Sequence, residues 1–487
     1  VVTGGSARLT VTDTGTAFTG AVTATTYNGI PFYSDSSAAS LYTHDVSGTD
    51  NSAEANSAYG FNAMDSITTG DNNTAIGYRA GGALTSGSSN VLIGKDAGDT
   101  LTTGTANVAV GVDALQSEDD HGRNVAIGHS ALETLNAGAD AYNVAVGYTA
   151  GVAMTTGVQN VLLGGQAGDA LTSANNNVAI GYNAMGSEDT GDGSTAVGHS
   201  ALAAMNYDGY AHNTAIGYHA GKSVTTGIQN TILGGLAGDA LTTGGYNVAI
   251  GYNSLGSEDA HGANVAIGYN SLVAQNAGAD AYNVAVGFNS GASVTTGTLN
   301  TLIGGLAGDA ITEGISNTAL GYSTLSAATT SDFNIAIGTE SLKNNILSNR
   351  NVAVGFQSLF HHNTTNATDA YNTAVGFKAG NAVTSGANNT LIGGLAGDAI
   401  TTGYGNTAVG YQALTTEDAN GTTTAIGQKA LMLQNAGTES YNTAVGYDAG
   451  QQVTTGINNT LIGGSAGDAL TTGSYNVAIG HEALTTE

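Results

Sequence analysis

The sequence predicts an all-β fold, a parallel β-solenoid (β-roll) of about 25 coils of 17–21 residues, and three observations lead there. A short phrase, Asn-(Val/Thr)-Ala-(Ile/Val)-Gly-Tyr-x-Ala, recurs from Asn56 onward, as at Asn73 to Ala80, Asn177 to Ala184 and Asn406 to Ala413. Its starts fall mostly at one fixed interval, as from Asn73 to Asn90 and on to Asn107, a period too short for a helix pair and suited to one coil of short strands. Gly-containing clusters such as Thr155 to Gly157 and Thr225 to Gly227 supply the bends between strands.

In chain order, residues 1–29 are Thr- and Gly-rich, with strand-like alternation at Leu9, Val11, Phe18 and Val22, and read as a β-rich, shaft-like segment. Residues 30–55 read as a linker or transition. Residues 56–487 hold the repeats: starts at Asn73, Asn90, Asn107 and Asn124 lead to Asn143 and close a 70-residue block. The block recurs at Asn143, Asn213 and Asn283; an extra coil and a 21-residue step within 283–371 then lead to Asn372, and Asn442 follows one block later. The chain opens on Val1 and stops partway through a repeat at Glu487, so it is expected to be a segment truncated at its C-terminus, with any signal peptide or anchor outside it. Coils stacked at the inter-strand spacing of ~4.8 Å would make a rod roughly 120 Å long.

Composition narrows the function. With no Cys there is no disulfide scaffold, cysteine nucleophile or Cys-ligated zinc. A formal charge of −28 argues against a nucleic-acid or anionic-lipid partner. No apolar run reaches the ~18 residues that span a bilayer, so no membrane insertion is expected in this segment. Absent Cys and scarce Lys fit an extracellular setting.

Numbering each recurring Asn as position 1, the period-two rule assigns positions 2 and 4 (Val/Thr and Ile/Val/Leu) to the core. Positions 3, 5 and 8 are small, Gly standing at position 5 from Gly60 to Gly480. The expectation is that this small face packs closely against a second copy of the chain. Periodically Leu or Ile replaces Ala at position 3 (Leu92, Leu162, Ile232, Leu302, Leu391, Leu461) while, except at Lys95, Gly replaces the aromatic at position 6. This exchange suggests that positions 3 and 6 share one packed space. The recurring Asn and Gly (Asn73 and Gly77, Asn143 and Gly147, Asn213 and Gly217, Asn283 and Gly287) read as structural. The amides are suited to cap bends and stack as a ladder, with a ligand role as the alternative; Ser194 and Thr423 stand in for Asn.

The phrase Asn-Thr-Ala-Ile-Gly-Tyr-x-Ala-Gly resembles the head repeats of YadA-like trimeric adhesins, found also in phage tail fibres. The resemblance covers about 430 of the 487 residues. It implies a left-handed β-roll with three chains around one axis, a homotrimeric fibre, although repeats of that family are usually shorter than those of this chain. Residues 7–29 are similar to the shaft of phage fibres. The resemblance therefore favours a non-enzymatic tail-fibre segment on a virion, spanning to and supporting the binding of a cell-surface receptor or glycan. The alternative is the head of a bacterial surface adhesin or another extracellular filament that binds matrix or glycan.

Acidic residues recur in register: Gly-Asp at positions 9 and 10 (Asp99, Asp169, Asp239) and Glu-Asp at positions 12 and 13 (Glu118/Asp119, Glu188/Asp189, Glu258/Asp259). No cofactor is required, but such oxygen-only groups suit Ca²⁺; hydrated acidic corners are the other reading. A glycosidase pair is disfavoured, since an active site needs one pocket and these pairs repeat. Broken Thr ladders make a poor ice template. The atypical stretch Phe360, His361, His362 and Asn363, read as an exposed corner, is the candidate receptor contact.

Overall fold

The computed structural model describes residues 26–27, 30–31, 33–35, 40–42, 52–364 and 366–486; the alternation expected between Leu9 and Val22 lies outside them. Among these residues every regular element is a β-strand, and the repeats form a parallel β-solenoid of about 25 turns. Each strand covers only positions 2–4, because Gly at position 5 turns the chain away. Gly77 has φ +139°, and a Cβ there would lie 2.3 Å from the carbonyl oxygen of Gly94 in the next coil, a conformation and a spacing open only to glycine.

Two compact units are present. In the first (Val1–Ser130 with Asn136–Asp140), Tyr33–Asp35 and Ser40–Tyr42 form an antiparallel hairpin. Ser40–Tyr42 continues into a parallel ladder with Ser57–Tyr59, Thr74–Ile76, Val91–Ile93, Val108–Val110 and Val125–Ile127. The stretch expected to be a linker thus holds strands, the last of which starts the ladder. In the second unit (Ala131–Leu135 with Ala141–Glu487), parallel pairing runs from Val144–Val146 to Val477–Ile479, each position opposite the same position of the next coil.

The expected faces are inverted. Along Val108–Val110 and Val178–Ile180 the central Ala is buried and both flanking residues are only half-buried. Position 3 points into the coil's own interior, joined there by Ala at position 8, as at Ala109 and Ala114. The period-two rule holds, but the face it assigns to the core is wrong: a coil this short closes around a space too narrow for a Val at every rung. The small residues therefore pack within their own chain, and their size gives no reason to place a sister chain against them.

Exchange of large and small is also internal, and it joins positions 3 and 9. Leu162 is fully buried; a Cβ added to Gly151 or Gly168, position 9 of the preceding coil and of its own, would lie 2.7 or 2.9 Å from its δ carbons. Leu or Met stands at position 9 only in coils with Ala at position 3 that no Leu or Ile at position 3 follows, as Leu115 and Met185, both buried. Position 6 does not share that space, since a Cβ on Gly165 would meet the ring of Tyr182 on the outside.

The second interior column is position 12. Ile67, Leu84 and Leu101 occupy it in the first unit, and Met154, Leu171, Met205 and Leu241 in the second, all fully buried.

Candidate functional site

The recurring Asn lies in the interior at one end of each strand. Asn73 donates its backbone N–H to Asn56 Oδ1 (2.9 Å) and its amide Nδ2–H to the Gly87 carbonyl (2.9 Å). Asn143, Asn213 and Asn283 make the corresponding amide bonds to Gly157, Gly227 and Gly297 at 2.7–2.8 Å. Ser194 still accepts the Asn213 N–H, at 3.3 Å. Gly147, Gly217 and Gly287 repeat the geometry of Gly77, with φ of 150°, 142° and 146°.

The acidic positions separate into distinct environments. Glu118, Glu188, Glu258 and Glu417 stand at position 12 among the buried Leu, Ile and Met of that column, and all four are fully buried. The reading of the Glu-Asp pairs as hydrated corners is corrected for the glutamates, while Asp119 and Asp189 stay half-exposed and Asp259 exposed. Glu188 Oε1 accepts the Gly191 N–H at 2.8 Å, and Glu118 and Glu258 accept the His121 and His261 N–H groups at 3.2 Å. The carboxylates thus cap their own bends. Burial nevertheless pushes the protonation of all four above the ordinary glutamate range, outweighing these hydrogen bonds. Repetition of Leu, Ile and Met at the same register was the signal that position 12 is interior.

Asp99, Asp169 and Asp239 sit at the next bend, where burial again raises their protonation. Asp99 pairs with Arg79 at 2.8 Å beside an open cleft of about 300 Å³. Among the described residues, the side chains spaced to hold a metal ion are Glu118, Asp119 and His121, and Glu258, Asp259 and His261, with donor atoms within 4.8 Å of one another. The structure does not bring Asp99, Asp169, Asp239, Glu188 or Asp189 into such a group.

At the 21-residue step, His362 occupies the interior position 12 and is fully buried rather than exposed. Its Nε2 lies 2.8 Å from Ser348 Oγ, and burial pushes its protonation down to about 4. His361 is exposed, Phe360 and Asn363 half-buried. Besides His361, residues 366–369 of the step are exposed; there Thr368–Asp369 pairs with Ser348–Asn349 and Asp369 makes an ion pair with Arg350.

Outward, positions 2, 4 and 6 align from coil to coil. Tyr252, Tyr269 and Phe288 stack with ring centroids 5.6 and 5.4 Å apart, and Phe356 stacks on Phe377 at 5.5 Å. Exposed Ile216, Leu233, Ile392 and Ile426 hold position 4 in other coils. Set against known proteins, the chain matches no family model and no curated protein.

Proposed function

We propose that this chain is a non-enzymatic fibre element that assembles as a homotrimer outside cells, serving best as a phage tail-fibre segment that holds a receptor-binding end at a distance. The observation that carries this reading is the outward row of half-exposed aliphatic side chains and exposed aromatics, repeated coil after coil. Exposed apolar surface of that extent is costly unless a partner covers it, and a surface with the chain's own repeat is suited to another copy in the same register. Burial of the four Glu against their own backbone supports a structural rather than a hydrolytic role for them. The resemblance to YadA-like head repeats points the same way.

Sedimentation equilibrium tests the assembly. Three times the 48.0 kDa chain mass is expected, and a species of single-chain mass at micromolar concentration overturns it.

A further inference from the structure

Two of the four buried glutamate corners carry a histidine three residues on: His261 follows Glu258 and His121 follows Glu118, whereas Gly191 and Asn420 hold that place after Glu188 and Glu417. Where the histidine is present its Nδ1 lies 3.7 Å from Glu Oε1, beyond hydrogen-bond length, and Nδ1 has no hydrogen-bond partner in either corner. Glu258 is fully buried, and its Oε2 also lacks a partner. A buried carboxylate oxygen left without a donor is expensive, more so in a column that most coils fill with Leu, Ile, Val or Met. Asp259 brings a second carboxylate from the adjacent, exposed position, and every donor atom lies within 4.8 Å of the others.

We propose that Glu258, Asp259 and His261 form a binding site for a divalent transition metal of the Zn²⁺, Co²⁺ or Ni²⁺ class, repeated by Glu118, Asp119 and His121. Ligands bonded to one such ion at about 2.1 Å are at most about 4.2 Å apart, so the corner needs to close by roughly half an ångström. One imidazole nitrogen among the donors selects this class over Ca²⁺, which takes oxygen ligands. The ion would supply the missing partner of Glu258 Oε2, and the partly exposed histidine leaves a path for it to enter. In the first unit Glu118 Oε2 already accepts the Ala137 N–H, at a long 3.4 Å, so that corner is the weaker of the two. The proposal is independent of assembly and of any tail-fibre role, because every ligand of a corner comes from one bend of one chain.

Calorimetric titration of the full chain with Zn²⁺ at neutral pH tests it. Two sites per chain are expected, one after His261→Ala and none after the double change His121→Ala/His261→Ala, while Glu188→Gln leaves both in place. Asp259→Asn, at an exposed position that cannot unfold the coil, should weaken the second-unit site at least tenfold. Zn²⁺ binding that is absent, that survives in the double variant or that Ca²⁺ displaces at equal concentration overturns the proposal. Far-ultraviolet circular dichroism of each variant, matched to the parent, ensures that loss of a site is not loss of the fold.

Discussion

Glutamate at position 12 sets a chemical conflict inside an otherwise apolar column, and its consequence can be measured by pH. Burial raises the folded-state protonation of Glu118, Glu188, Glu258 and Glu417 above the unfolded value. Between the two values the folded chain holds more protons, so their stabilising contribution is complete below the ordinary glutamate range and is lost as pH rises through the raised values. His362 works in the opposite sense: a base whose protonation is pushed down to about 4 contributes stability at neutral pH that is lost on acidification from about 6.5. Replacing all four Glu by Gln should therefore reduce the gain in melting temperature expected on acidification, to which Asp99, Asp169 and Asp239 also contribute, and His362→Gln should enlarge that gain. Parallel melting curves for parent and four-Gln variant between pH 7 and pH 4.5 would contradict the assignment. A second prediction concerns Gly77, where φ is +139° and a Cβ would strike Gly94. Gly77→Ala should cost about 3 kcal/mol or more, read as a fall in the urea midpoint.

Within each unit, successive coils are held together by the strand ladder and the Asn ladder. Asn160 Oδ1 accepts the Asn177 N–H at 2.9 Å, and its Nδ2–H reaches the Ala174 carbonyl at 2.8 Å. Asn160→Leu leaves both backbone groups buried without partners and should destabilise by about 2–4 kcal/mol. Asn160→Ser keeps an acceptor, as Ser194 does naturally, and should cost less; equal losses in denaturant unfolding would remove the ladder as the cause. The link between positions 3 and 9 yields a double-mutant cycle. Leu162→Ala opens a cavity worth about 2–5 kcal/mol. Gly168→Leu collides with Leu171 and with Leu162, whose δ carbons lie 2.6 and 2.9 Å from the added Cβ. The combined change reproduces the Ala-with-Leu pairing of other coils and should be less destabilising than the sum of its parts. Strict additivity would separate the two positions. Leu115 and Met185 hold position 9 with φ of 50° and 51°, left-handed values that burial of the side chain offsets.

For the chain as an assembly, the decisive substitutions lie on the outward strand positions. Ile250→Glu, Tyr252→Ser and Ile267→Glu together change half-buried or exposed residues and leave the interior Ala249 and Ala266 untouched. They should lower the sedimentation mass to that of one chain with an unchanged β-type circular dichroism spectrum; a retained trimer mass would exclude this face as the contact. Much of the architecture was legible in the residues. Recurring Asn and Gly at fixed spacing were enough for the coil length, the parallel register, the bends and the extra coil before Asn372, because each is a local demand of backbone geometry that repeats with the residues. Orientation was not legible. Alternation shows that Val108 and Ala109 point opposite ways, but which way is inward depends on how much space one coil encloses. Likewise Glu258 and His362 look like surface residues beside their charged and polar neighbours. Closure of the coil carries them inside, since burial is set by where the backbone brings a position rather than by the side chain that occupies it.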